Sequence, residues 1–74
     1  NPSTKIKYSV KKEGYVTISI YDITGKKIKT IANSRKNIGE YEIVFNGAGL
    51  SSGIFFYTLE SDDTKITKSM ILLK

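Results

Sequence analysis

Apolar residues recur at every second position along most of the chain. Ile6, Tyr8 and Val10 alternate with Lys5, Lys7 and Ser9, and Val16, Ile18 and Ile20 alternate with Thr17, Ser19 and Tyr21. Tyr41, Ile43 and Phe45 do the same against Glu40, Glu42 and Val44. A two-residue repeat marks a half-buried β-strand, and no segment carries the 3.6-residue apolar repeat of a helix, so the chain reads as all-β. Turn residues punctuate the runs: KKEG at Lys11–Gly14, DITGK at Asp22–Lys26, the longer NSRKNIG at Asn33–Gly39, and SDDTK at Ser61–Lys65. The pattern predicts six strands, near residues 3–10, 15–22, 27–32, 39–46, 54–60 and 65–74. A seventh is expected if the stretch around Leu50 contains a short one. Short strands at this spacing belong to a sandwich or a small barrel.

NGAGLSSGIFFYTL, Asn46–Leu59, breaks the rhythm, with three of the chain's six glycines followed by a dense apolar run. Small residues between two strands that end in different sheets permit close backbone approach, so this stretch predicts an inter-sheet crossing with Leu50 folded inward over the end of the core. The strand after it places Phe55, Tyr57 and Leu59 on one face and Ile54, Phe56 and Thr58 on the other. Apolar on both faces, it is expected to be central, with one side covered and the other adhesive. The last run repeats the theme, since Met70 and Leu72 share one face and Ile71 and Leu73 the other.

Composition narrows the chemistry. At 74 residues, 39% hydrophobic and 26% charged, the chain is one ordered domain. It contains neither cysteine nor histidine, so a disulfide or thiolate metal site is ruled out and the commonest general base is missing. Ser51 and Ser52 have no histidine to activate them and read as turn residues. Asp62 and Asp63 are adjacent carboxylates without the further oxygen ligands calcium requires. A non-enzyme with no cofactor and no metal is expected. The longest apolar run, Met70–Leu73, is far short of the about 20 residues of a membrane-spanning helix. NPSTKIKYSV lacks the signal-peptide pattern and does not start with methionine, so the chain is expected to be a piece cut from a longer protein.

The net charge of +5 raises the question of nucleic acid, but the lysines fall mostly on outward strand positions and turns, where they protect sheet edges. Nucleic acid is not expected as a partner. A carbohydrate-binding or purely structural immunoglobulin-like module of a secreted enzyme is the alternative. Its outward rings are limited to Tyr15, Tyr21 and Phe56, and the chain has no tryptophan.

NPST at Asn1–Thr4, VTISIYDITGKKIKTI at Val16–Ile31, GEYEIVFNGAGLSSGIFFYTLES at Gly39–Ser61 and TKSMILLK at Thr67–Lys74 together resemble the C-terminal sorting domain of the type IX (Por) secretion system. The resemblance implies an immunoglobulin-like antiparallel β-sandwich of six to seven strands, forming one domain over 1–74 at the end of a larger exported protein of a Gram-negative bacterium. It implies passage from the periplasm through the outer membrane to the cell surface or medium. The implied partners are the outer-membrane secretion and signal-cleavage machinery and the N-terminal cargo domain. Asn1 and Pro2 match the family's opening pair, and Leu50, Gly53, Ile54 and Phe56 its central motif. Lys68, Met70, Ile71, Leu72, Leu73 and Lys74 match the terminal motif the machinery needs. Phe55 departs from a common tyrosine and removes whatever hydrogen bond a hydroxyl would make there. An apolar strip facing outward at a chain end suits a receptor that adds a strand to a sheet edge, or else a parent domain or a dimer through an edge or the terminal strand.

Overall fold

The computed structural model describes residues 3–62 and 64–73. They form six strands, β1 (Ser3–Val10), β2 (Gly14–Tyr21), β3 (Lys27–Lys36), β4 (Gly39–Asn46), β5 (Gly53–Ser61) and β6 (Thr64–Leu72). All pairings are antiparallel, in a two-stranded sheet β1-β4 and a four-stranded sheet β3-β2-β5-β6. The inward sets of the alternating runs meet between the sheets. Ile6, Ile20, Phe45, Phe55 and Leu72 form one buried cluster, and Val10, Val16, Ile18 and Leu59 form another. Removing this apolar surface from water is the main force holding the layers together.

β2 and β5 occupy the centre of the larger sheet, which explains the apolar character of β5 on both faces. Phe55 and Leu59 are buried beneath the smaller sheet, while Ile54 on the opposite face is exposed. The turn between β2 and β3 is closed by Asp22. Its Oδ1 accepts hydrogen bonds from the Thr24 amide at 2.9 Å, the Thr24 hydroxyl at 2.6 Å and the Lys26 amide at 3.0 Å. These bonds, led by the Thr24 hydroxyl and then the Lys26 amide, hold the carboxyl below its usual range. Gly25 has φ +89° there, a conformation glycine adopts without a Cβ penalty. On the smaller sheet Tyr8 stacks on Tyr41 with centroids 5.5 Å apart, and the Tyr41 hydroxyl donates to the Asn37 carbonyl at 2.8 Å.

Two expectations need correction. β3 continues through Asn33–Lys36, a stretch whose polarity reads as a connection, leaving only residues 37 and 38 between β3 and β4. The strand persists because it lies at the sheet edge, where its polar side chains need no apolar cover: Asn33 accepts from the Thr17 hydroxyl at 3.3 Å, and Arg35 meets Glu13 at 3.5 Å. The seventh strand near Leu50 is absent among the described residues. Asn46 Oδ1 instead accepts from the Ala48 amide at 2.9 Å and the Gly47 carbonyl from the Leu50 amide at 2.9 Å, folding the stretch into a tight turn. That turn crosses from β4 in the small sheet to β5 in the large one, and Leu50 packs half-buried against the core, as its position between glycines predicts.

Candidate functional site

The antiparallel pairing of β5 and β6 runs in continuous register from Ser61↔Thr64 to Gly53↔Leu72. It therefore fixes which side chains of the last strand point inward. Leu72 is 2% exposed and closes the core beside Phe55. Met70, opposite Phe55 in the register, packs half-buried against the same cluster. The alternate residues face the other way: Ile71 is 65% exposed and Leu73 72%. Directly across from Ile71 lies Ile54, itself 47% exposed. The three apolar side chains belong to the outer face of the large sheet, at its β5-β6 end. Phe56, two residues along β5 on that face, is half-buried.

Gly53 sets this geometry up. Its φ of +152° is one that L side chains rarely adopt, and a Cβ there would meet nothing within 4 Å. Glycine is required for conformation and not for space. The residue lets the chain leave the Leu50 turn and enter β5 in register with Leu72.

β6 pairs with β5 alone among the described residues, so its other side presents backbone donors and acceptors at a sheet edge. An edge beside an apolar strip can accept an added strand through main-chain hydrogen bonds while the side chains supply contact area. Among the described residues no cluster of three or more His, Cys, Asp or Glu is placed to hold a metal.

The candidate residues do not all converge. Ile54, Ile71 and Leu73 form the strip, Met70 and Leu72 anchor it from below, and Leu50 and Gly53 shape the entry to β5. Lys68 lies on the inward side of β6, in line with Met70 and Leu72, yet it is exposed because the smaller sheet does not reach that far. Asn1, Pro2 and Lys74 lie outside the described residues, as does Asp63 of the discounted carboxylate pair. Phe55 is buried in the core, where an apolar ring needs no hydrogen-bond partner.

Sequence reading passed over two features. Ile66 is 44% exposed on the inward side of β6, a position that alternation from Leu72 would have identified. Ser19 and Thr58 face each other across β2 and β5 on the outer side, both buried and with neither hydroxyl hydrogen-bonded. No sequence signal marks that pair.

Among the described residues no helix is long and apolar enough to cross a membrane. The family model described as the secretion system C-terminal sorting domain matches residues 1–73. No curated protein and no solved structure matches the chain.

Proposed function

This chain belongs to the family of secretion system C-terminal sorting domains, and from that premise we propose that its last strand is the part the machinery grips. The family's role is that of a C-terminal sorting signal for type IX secretion, which sends the protein bearing it to the cell surface or the extracellular space. It is a signal family and not a catalytic one. In our reading the domain carries no chemistry of its own and travels through the periplasm behind an N-terminal cargo. Ile71 and Leu73, supported by Ile54, dock on a component of the outer-membrane machinery while the edge of β6 accepts a strand from it. Signal cleavage then separates domain from cargo.

The observation that carries this reading is the orientation of β6, with Leu72 locked in the core and Ile71 and Leu73 left outside. A finer fold assignment accords with it. The strand orders β1-β4 and β3-β2-β5-β6 suit an immunoglobulin-like sandwich lacking the outer strands of its smaller sheet.

The test is export of a periplasmic reporter fused to the 74-residue chain in a host that has the secretion system. Removal of residues 70–74 is expected to abolish export, and Ile71→Ser with Leu73→Ser to reduce it at least tenfold while the domain stays folded. Undiminished export of the double variant would defeat the proposal.

A further inference from the structure

The two sheets are unequal in width, and the consequence falls on the inward side of β6. Thr64, Ile66, Lys68, Met70 and Leu72 alternate onto that side, but only the last two are covered: Leu72 is buried and Met70 half-buried, whereas Ile66 and Lys68 are exposed. An open groove of about 620 Å³ runs between this uncovered stretch and β1. Tyr57, Leu59 and Ile66 from the large sheet contribute to its apolar lining, with Tyr8, Val10 and Val16. Lys7, Lys11, Lys12 and Lys68 also line it, and no carboxylate among the described residues does. β1 pairs with β4 alone among the described residues, so its other edge, from Lys7 to Val10, offers backbone groups along the groove.

We propose that this groove binds an extended, acidic peptide segment that adds to the edge of β1 as a third strand of the smaller sheet. A strand placed there lies about 4.8 Å from β1. Its inward side chains fall on Tyr57, Leu59 and Ile66, so alternate residues must be apolar. Its outward side chains neighbour Lys7, and the stretch nearest the β1-β2 turn meets Lys11 and Lys12. No carboxylate among the described residues lines the groove beside Lys7, Lys11 and Lys12, although Glu42 stands opposite Lys7 in the β1-β4 register and Glu13 follows Lys12, so acidic residues are favoured at those places and basic ones disfavoured, because like charges brought together at a binding surface are unfavourable. Main-chain pairing supplies affinity and the alternation supplies register. The surface lies on the inner side of the large sheet, opposite the Ile54–Ile71–Leu73 strip, and the proposal stands without the sorting role.

The experiment titrates three ten-residue synthetic peptides into the isotope-labelled 74-residue chain and follows its backbone amides. One peptide alternates glutamate with valine, one alternates lysine with valine, and one has the first peptide's composition with its glutamates in a single block. The alternating acidic peptide is expected to shift amides of Lys7–Val10, Ile66 and Lys68, and to bind at least tenfold more tightly than either control. Lys11→Glu with Lys12→Glu, at exposed turn positions, is expected to weaken it at least tenfold with the spectrum otherwise retained. The milder Lys11→Gln with Lys12→Gln is expected to weaken it less. Absence of shifts at millimolar acidic peptide would overturn the proposal. So would equal binding of the blocked or the basic peptide, or a sulfated oligosaccharide that shifts these amides when the peptide does not.

Discussion

β3 and β6 are the two edges of one sheet, and they are finished differently. β3 carries Lys27, Lys29, Arg35 and Lys36, and its pairing with β2 is broken by register shifts at Ile18/Ser19 and Ile20/Tyr21. Charge and bulges both discourage another chain from pairing with such an edge. β6 carries fewer charges, the exposed Lys65 and Lys68, pairs with β5 in continuous register and leaves Ile66, Ile71 and Leu73 exposed. A protein that guards one edge and leaves its opposite open has an edge available for use. The contrast supports the role proposed for β6 more directly than its apolar content does, since exposed apolar residues are common on any surface.

The sharpest way to probe that contrast is to strike the two faces of β6 separately. Leu72→Ala removes a fully buried side chain and is expected to cost about 2–5 kcal/mol in urea unfolding, whereas Ile71→Ala should stay within about 0.5 kcal/mol. Comparable losses would mean that Ile71 is engaged in the fold and unavailable for docking. Gly53→Ala, which forces a side chain into a φ of +152°, is expected to destabilise by about 1 kcal/mol or more in the same assay.

Effects on the guarded side are smaller. Asp22→Ala opens the turn leading into β3 and is expected to lower the melting temperature at pH 7. Because its hydrogen bonds depress the Asp22 pKa, the stabilisation is present above the usual carboxylate range and is lost as pH falls through the depressed value. The gap between wild type and variant should therefore close in acid melts; a constant gap would assign the turn's stability to other groups. Arg35→Ala breaks an ion pair whose side chains are 63% and 54% exposed, and unfolding should move by no more than about 0.5 kcal/mol.

Most strands were legible because burial on one face imposes a two-residue alternation, and β1, β2, β4 and β5 follow it closely. Residues 33–36 were not, because an edge strand imposes little of that alternation: the side chains of Asn33 and Arg35 meet polar partners, Thr17 and Glu13, and need no apolar cover. The small residues around Leu50 marked a crossing correctly, yet side-chain capping by Asn46 turns that stretch too tightly to contain a strand. Within the site, the inward and outward sets of Met70–Leu73 followed from alternation alone. The groove beside β1 did not, since it depends on how many strands each sheet recruits, and that number is a property of pairing between distant segments. The order of strands within each sheet, which the proposed immunoglobulin-like reading draws on, is likewise not encoded by alternation.

Leu72 reaches a cluster built from Ile6 of β1, Ile20 of β2, Phe45 of β4 and Phe55 of β5. Its seat is therefore assembled only after four other strands have arrived, and until then nothing distinguishes the two sides of the closing segment. A component that docks on Ile71 and Leu73, as proposed above, therefore meets a surface whose two sides are distinguished only once this domain has folded.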